Sequence, residues 1–351
     1  MISRKKIIMI MMAMMPFVLS AQTQVTEFTP GVAANGVNYA LPKTVIKADV
    51  YAQKVVYRPG EFAKYASRFM HMNDVCQEER TEWTITKVNF YQEGVPDSTK
   101  YYTVKLKDKS TAPFVHLSSA GTLLAVNANV EEDEHELPAP TQSAGYIDGK
   151  QYLTEEILMS TSTSKMAELT AAEILTIRES KNDIKRGQVE SMPKDAGSLK
   201  IVLDELNIQE EALTRLFTGY TDTLNVAQTF VYEPIGDVEN DIFFRFSNKL
   251  GFVENDDLAG DPYYIKIKDK HTVVIPTGKD AEKRKVMGLV YNMPSIARVL
   301  VYSIDNVYLD KEMPFAQFGT VDMLSPTLFN KGATTKVRFY PSTGGIMKLE
   351  Q

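Results

Sequence analysis

Apolar and polar residues alternate with a period of two over many short stretches of the chain, and this pattern most strongly constrains the fold. In TVIKADVYAQKVVY, the apolar residues Ile46, Ala48 and Val50 share one side, and mostly polar residues occupy the other. A period of two places alternate side chains on opposite faces of a strand, so this stretch is predicted to be a half-buried β-strand. Pro59 and Gly60 follow it and are expected to end it.

Residues 36–130 are predicted to form an N-terminal β-rich domain with one short helix. Aromatic residues from Phe62 to Phe69 recur at helical spacing, which predicts an amphipathic helix over about residues 61–72. Further strands are predicted around Trp83 and Phe90, closed by a turn at EGVPDS.

Residues 220–351 return to strand patterns and are predicted to form a C-terminal antiparallel β-sandwich-like domain. Gly and Pro punctuate short alternating stretches at roughly ten-residue intervals, which is typical of sandwiches and barrels. The predicted strands are TLNVAQTFVYEP, DIFFRF, PYYIKIKDK, TVVIP, GLVYNMP, ARVLVYSIDNVYL, FGTVDMLSP, TTKVRFYP and GIMKLE. Asn330–Gly332 and Pro341–Gly345 are predicted turns between antiparallel strands.

A helical hairpin is predicted over residues 165–219, between the two β-rich ranges. Its first helix is expected to begin at Thr170, because TAAE has the order of a capping box, and to stop at Gly187. The second helix is expected to end at Gly219, with charged residues such as Glu210 on a solvated face. The fold class is therefore mainly β with α (α+β), with an N-terminal α/β-containing sheet unit.

Residues 131–146 are acidic and contain two prolines, which predicts a solvated loop or linker. A metal site at His135 with Glu132, Asp133 and Glu136 is disfavoured, because adjacent carboxylates in a flexible segment do not preorganise a coordination shell.

The stretch YYTVKLKDK at Tyr101–Lys109 returns as YYIKIKDK at Tyr263–Lys270. Each copy is predicted to be a strand that enters a charged turn, so neither needs a chemical role. Duplication of a β-unit and convergent strand composition both remain open, since alternating lysine is common in exposed strands.

The first 21 residues are predicted to be a signal peptide, and the protein is therefore expected to be exported. Arg4, Lys5 and Lys6 precede an apolar run that is short for a membrane span, and a cut after Ala21 is expected. The cut site lacks a cysteine that could carry a lipid, so a periplasmic or outer-membrane-associated protein is expected, with no transmembrane helix in the mature chain. Removal of these three basic residues lowers the formal charge from −6 to −9, which disfavours nucleic acid as a partner.

Recognisable catalytic motifs are missing from the sequence, which contains no phosphate-binding glycine loop, nucleophile elbow or paired zinc histidines. Cys76 is expected to be a buried structural side chain rather than a nucleophile paired with His71. The loop ENDDLAGD, with Asp256, Asp257 and Asp261, is expected to be a surface turn, because it lacks the ligand spacing of a calcium loop. The sequence predicts no catalytic residue, no cofactor site and no metal site.

The chain contains the segments GVNYALPKT at Gly36, YRPGEFAKYASRF at Tyr57, LDELNIQEEALTRLFTG at Leu203 and MPFAQFGTVDMLSP at Met313. Together these four segments resemble a family of exported Bacteroidota proteins classed as a domain of unknown function, DUF4831. The resemblance spans nearly the whole mature chain, and it implies an envelope location without implying an activity.

Two functions are consistent with these observations. The favoured hypothesis is a non-catalytic cell-envelope binding module that recognises a protein or glycan partner through sandwich loops or a sheet edge. The alternative is a periplasmic hydrolase whose two carboxylates are distant in sequence and meet in space.

Overall fold

A computed structural model describes residues 24–27, 36–105, 114–131, 135–143, 145–189, 195–274, 288–329 and 335–350. The predicted signal peptide, the end of the first YY repeat and the predicted turn at Asn330–Gly332 lie outside these ranges. Of the described residues, 48% lie in strands and 23% in helices, which confirms the mainly β, α+β class.

Fourteen strands are described. They are β1 (Gln24–Glu27), β2 (Val37–Arg58), β3 (Arg80–Lys105), β4 (Val115–Leu117), β5 (Leu123–Val126), β6 (Thr141–Gln142), β7 (Tyr220–Tyr232), β8 (Val238–Ser247), β9 (Gly251–Val253), β10 (Asp261–Asp269), β11 (Leu289–Tyr302), β12 (Val307–Leu324), β13 (Lys336–Phe339) and β14 (Ile346–Glu350).

The described α-helices are α1 (Ala66–Met70), α2 (Glu155–Leu158), α3 (Thr163–Arg186) and α4 (Ala196–Thr218). Short 3₁₀ helices lie at Ala63–Tyr65, Gly149–Tyr152 and Pro326–Phe329.

The strands form three antiparallel sheets. The first sheet has the order β1-β3-β2-β7-β6, the second has the order β12-β11-β10-β8-β9, and the third has the order β14-β13-β5-β4. The first and second sheets pack face to face as a sandwich, but of the first sheet only β7 lies within the range 220–351 for which a sandwich was predicted. The core of this sandwich contains Ile46, Ala48 and Val50 from β2 against residues such as Phe244 and Val299 from the second sheet.

A second β core lies where the third sheet covers the other ends of the long strands. It joins Tyr39 and Leu41 of β2 with Leu289 of β11 and with Val337 and Phe339 of β13. The two hairpins β2–β3 and β11–β12 therefore run through both cores.

Pro96, in the predicted turn EGVPDS, and Pro294, at the predicted end of the strand GLVYNMP, lie inside these hairpins instead. Pro42 pairs with Pro96 within β2–β3, and Pro294 lies within β11. The prediction of a turn at EGVPDS is therefore wrong. β7 pairs with β2 only from Ile46 onward. Pro42 and Pro96 therefore lie in a stretch where only β2 and β3 pair, and there a missing N–H costs little.

The segment TVVIP is also not a strand over its described part, because residues 272–274 are irregular.

The helical hairpin is confirmed as α3 and α4, but its predicted start at Thr170 is wrong. Ser162 caps α3, because its Oγ accepts from the Lys165 N–H, whereas Thr170 is buried inside the helix and donates to the Met166 carbonyl. The predicted ends at Gly187 and Gly219 are confirmed. The short helix after Gly60 is also present, although it is shorter than predicted and consists of a 3₁₀ turn followed by α1.

One charged residue of α4 that was predicted to face solvent instead links the two helices. Glu210 Oε1 accepts from Arg178 Nε at 2.6 Å, and Glu210 also pairs with Lys181. Burial disfavours the charged form of Glu210, but the hydrogen bonds and charges of Lys181 and Arg178 outweigh it, so the pKa of this carboxyl lies below its usual value.

The ranges predicted as separate domains, 36–130 and 220–351, share one sheet and both β cores. β7 pairs along β2 from Tyr220 to Tyr232, so the first sheet crosses the predicted boundary at residue 220. Without β7, the edge of β2 would leave its N–H and C=O groups unpaired over most of its length.

The two YY repeats occupy unlike positions in the fold. Tyr101–Lys105 ends β3 and pairs with β1 and β2, whereas Tyr263–Asp269 lies in β10 between β8 and β11. Both copies are strands, as predicted, but Thr103 and Val104 are buried on opposite faces of the first copy, and the charged turn predicted after that copy lies outside the described residues.

Candidate functional site

A cleft lies between the helical hairpin and one end of the first sheet, and it is the candidate functional site. Arg58 ends β2 directly opposite Tyr220, the first residue of β7, and α4 ends immediately before β7. Residues 145–150 close the other side. Two adjoining openings of about 510 Å³ and 450 Å³ result, and both are lined by Tyr146, Ala212, Arg215 and Tyr220.

Two stacked tyrosines separate the openings. The rings of Tyr146 and Tyr220 are 3.7 Å apart between centroids and are inclined by 17°. Tyr146 is 39% exposed, so part of its ring faces solvent while Tyr220 supports it from behind. Burial, and then the hydrogen bond to Tyr146, raise the pKa of Tyr220.

Each cation around the openings is paired with a carboxylate, and the carboxylate of Asp148 accepts from the Lys150 N–H instead. Lys150 Nζ lies 2.8 Å from Glu61 Oε2, and Arg215 Nη2 lies 2.6 Å from Glu211 Oε1. The remaining cation, Arg58, lies between two carboxylates. Arg58 is 3.8 Å from Glu79 and 3.6 Å from Asp222. The described walls of the cleft therefore offer many hydrogen-bonding groups without an unpaired cation.

Close backbone packing forms the floor of the cleft. A Cβ atom on Gly60 would lie 2.3 Å from the Leu216 carbonyl oxygen, so only glycine allows the chain after β2 to approach α4 this closely. The Phe62 N–H then donates to the same carbonyl at 2.7 Å, and the rings of Phe62 and Phe217 pack 5.5 Å apart. Pro59 and Gly60 thus end β2 and place its last residue beside the helical hairpin.

Residues 135–143 of the acidic loop form a strap across the outer face of the first sheet. His135 Nε2 lies 2.5 Å from Asp49 Oδ2, and Thr229 Oγ1 donates to Asp49 Oδ1 at 2.6 Å. The alternation in β2 predicts a solvent-facing Asp49, but its side chain is fully buried because His135 and Tyr91 cover it. At the far end of the strap, Ser143 hydrogen-bonds the main chain of Thr223 in β7. Ser143 lies three residues before Tyr146 in the sequence.

Tyr91 contacts the same carboxylate. Its hydroxyl donates to Asp49 Oδ1 at 3.4 Å, and its ring meets the His135 ring edge to face. Burial and the nearby charge of Asp49 raise the pKa of Tyr91 to about 12.

Of the residues considered for a metal site, the structure describes His135 and Glu136. Among the described residues, no group of three His, Cys, Asp or Glu side chains is positioned to hold a metal ion. Glu132 and Asp133 lie outside the described ranges, and the described partner of His135 is Asp49 rather than Glu136.

The loop ENDDLAGD is a surface turn, as predicted. Asp257 Oδ1 accepts from the Ala259 N–H, and Arg245 donates to the carbonyls of Asn255 and Gly260. These donors use oxygens that a calcium ion would need.

Cys76 is half-buried rather than buried, because the irregular stretch after α1 runs over the surface. Its Sγ lies 3.4 Å from the Glu78 carbonyl oxygen, whereas His71 is exposed at the end of α1. The described contacts do not bring these two side chains together.

The sequence did not single out Tyr146, Tyr220 or the Asp49–His135 contact. Tyrosines are frequent in this chain, and each of these pairs joins residues far apart in sequence. Asp49 lies on the polar side of the alternation in β2, as Lys47 does, so the local pattern contained no signal for its burial.

Fold and cleft together define a mainly β, α+β protein with a polar, aromatic cleft at one end of an antiparallel sheet. The chain belongs to the family described as Domain of unknown function (DUF4831), whose model matches residues 35–347. No curated protein and no solved structure matched the chain. Across the described ranges, no helix has the length and apolar character needed to cross a membrane.

The four segments that carry the family resemblance meet in two places. The Tyr57 and Leu203 segments supply Arg58, Gly60 and Arg215 to the cleft. The Gly36 and Met313 segments meet where Thr44 hydrogen-bonds Gln317, between the two β cores.

Proposed function

We propose that the protein is an exported, non-catalytic protein of the cell envelope that binds a glycan in the cleft. The stacked pair Tyr146–Tyr220 is the observation that carries this proposal. A sugar ring has C–H groups on its faces and hydroxyls at its edge, so it can pack on a supported aromatic ring while its edge forms hydrogen bonds. The two openings have volumes typical of ligand sites.

The pairing of charges favours an uncharged glycan. Lys150, Arg215 and Arg58 each have a carboxylate partner, so an anionic ligand would have to displace one. The hydroxyl groups of a neutral sugar can instead accept hydrogen bonds from the guanidinium N–H groups and donate to the carboxylate oxygens, while the ion pairs stay intact.

The same pairing favours binding over hydrolysis. A glycosidase needs one carboxyl whose raised pKa keeps it protonated as a general acid. Glu61, Glu79, Glu211 and Asp222 each form an ion pair, and Asp148 accepts from the Lys150 N–H, so each carboxylate that lines the openings already has a partner in the cleft wall.

The binding test uses the purified protein on an array of neutral and charged oligosaccharides, followed by calorimetric titration of the best neutral ligand. Removal of the Tyr146 ring in Tyr146→Ala is expected to weaken binding about tenfold or more, whereas Tyr146→Phe retains most of it. Tyr340→Ala is the matched control, because Tyr340 is 49% exposed and does not line the cleft.

Three results would overturn this function. They are the absence of glycan binding, binding that is unchanged in Tyr146→Ala, and release of shorter sugars from the bound oligosaccharide. The last result would assign the hydrolase alternative.

Export is tested separately. Fractionation of the native cells is expected to place the protein in the periplasm or with the outer membrane, and sequencing of its N-terminus is expected to begin at Gln22. An intact Met1 in the cytoplasm would contradict this location.

A further inference from the structure

Three turns of the second sheet each expose a large aliphatic side chain. Leu250 lies in the turn between β8 and β9 and is 57% exposed. Leu258 lies in the β9–β10 loop and is 85% exposed, and Ile304 lies in the β11–β12 turn and is 83% exposed. None of these residues lines the cleft that contains Tyr146 and Tyr220.

The strand register places these turns at the same end of the sheet. Asp261, the first residue of β10, pairs with Phe246 near the end of β8, and Tyr264 pairs with Tyr302 at the end of β11. Only β10 separates β8 from β11, so the turns that follow these two strands lie two strand spacings apart across the sheet, about 10 Å, and are offset by the three residues from Tyr264 to Asp261 along it, also about 10 Å. One macromolecular surface can therefore contact all three side chains.

Hydrogen bonds order the turns that carry these side chains. Arg245 holds the β9–β10 loop through the carbonyls of Asn255 and Gly260. In the β11–β12 turn, the Ser303 N–H donates to the Asn306 carbonyl at 2.8 Å. The β8–β9 turn is held to the first sheet, because the Trp83 N–H donates to the Asn248 carbonyl at 2.7 Å. Ordered turns lose little conformational freedom on binding, which favours recognition through their tips.

The charges around the tips are mainly negative. The three turns contain the acidic residues Glu254, Asp256, Asp257 and Asp305, and the basic residue Lys249. We propose that these tips form a docking surface for a protein partner that presents an apolar groove bordered by lysine or arginine. Leu250, Leu258 and Ile304 would enter the groove, and the carboxylates would meet its basic border.

The charges also decide between this partner and two others. An anionic membrane surface would repel the carboxylates next to Leu258 and Ile304. A second copy of this chain would bring the same carboxylates together if the tips met each other.

The first experiment places a photo-crosslinking amino acid at position 258 or 304 in the native cells. Ile201, 70% exposed on α4, is the matched control position. The same protein is expected to crosslink at 258 and 304 and not at 201. Absence of a crosslinked protein at 258 and 304 would overturn the proposal.

The second experiment measures binding of the purified crosslinked protein by this chain. Leu258→Ser and Ile304→Ser are each expected to weaken binding about tenfold, and Ile201→Ser to leave it unchanged. Asp256→Lys is expected to weaken binding more at low salt than at high salt, because reversing a charge at the border removes a screened attraction. Equal affinity of all variants would overturn the proposal.

Two further measurements use defined probes. The purified protein is expected not to sediment with phosphatidylethanolamine–phosphatidylglycerol vesicles. In sedimentation without vesicles, the wild-type protein and Leu258→Ser are expected to have the same oligomeric state. Vesicle binding that Leu258→Ser abolishes, or self-association that it abolishes, would overturn the protein-partner proposal. Tyr146→Ala is expected to retain partner binding, which separates this surface from the glycan cleft.

Discussion

The side-chain amide of Gln317 pairs with the main chain of Thr44 as a neighbouring strand would. Gln317 Oε1 accepts from the Thr44 N–H at 2.9 Å, and Gln317 Nε2 donates to the Thr44 carbonyl at 2.8 Å. The Thr44 hydroxyl in turn accepts from the Ala316 N–H and donates to the Ser342 carbonyl. These contacts join β2, β12 and the β13–β14 turn between the two β cores.

Replacement of Gln317 by leucine is expected to lower the free energy of unfolding by about 2–4 kcal/mol, because Thr44 N–H and C=O lose their partners in a partly buried place. Urea unfolding measures this change. Gln228→Leu on the exposed surface of β7 is the control and is expected to change stability by less than about 0.5 kcal/mol. Equal effects of the two substitutions would contradict this role for Gln317.

Gly319 is expected to resist replacement by alanine. A Cβ atom there would lie 1.8 Å from the Met293 carbonyl oxygen, so β12 and β11 would have to separate locally. A loss of about 2–3 kcal/mol in unfolding free energy is expected by thermal or urea denaturation. Gly236→Ala is the control, since a Cβ there would meet no atom within 4 Å, and a similar loss in that variant would refute the steric explanation.

Acid is expected to weaken the helical hairpin through Glu210. Because its pKa is lowered in the folded state, its stabilising contribution is complete above its ordinary pKa and is lost as pH falls through the lowered value. Near neutral pH, Glu210→Gln is expected to cost about 1–2 kcal/mol in unfolding free energy, and the difference from wild type should shrink toward about pH 3.

Urea unfolding at both pH values tests this prediction. Glu205→Gln, at an exposed position of the same helix, should show little change at either pH. A cost of Glu210→Gln that stays constant with pH would count against the ion pairs as its cause.

Asp49→Asn is expected to loosen the strap that begins at His135. The substitution removes the carboxylate that His135 contacts, so amide hydrogen exchange over residues 135–143 should become faster. The pKa of Tyr91 should also fall part of the way from about 12 toward its ordinary value, because burial remains while the adjacent charge is lost.

Exchange monitored by mass spectrometry and NMR titration of labelled tyrosine, with Tyr91→Phe for assignment, measure the two effects. His271→Ala is the control, because His271 forms an exposed contact with Asp269 elsewhere. Unchanged exchange in Asp49→Asn would show that the β6–β7 contacts alone hold the strap.

Local sequence patterns predicted most of the strands and helices of this fold. Features that depend on contacts between residues distant in sequence were not predicted. The alternation in β2 identified a strand, and the glycines at 187 and 219 identified the ends of two helices. Both signals depend only on neighbouring residues in the sequence. Pro96 and Pro294 led to wrong predictions because a proline is tolerated where only two strands pair, and the number of paired strands is a tertiary property.

The candidate site was less predictable for the same reason. Tyr146 and Tyr220 become neighbours only because the whole hairpin between them folds back, and no spacing rule covers that distance. Thr170 has the sequence of a helix cap, yet burial and its bond to Met166 place it within a longer helix.

The continuous pairing of β2 with β3 has a mechanical consequence. Tension applied along these strands would load many hydrogen bonds of the ladder at the same time, and β7 would share the load over residues 46–58. Tension applied across the strands would instead break the ladder one bond after another. The protein should therefore resist stretching along this axis far more strongly than across it.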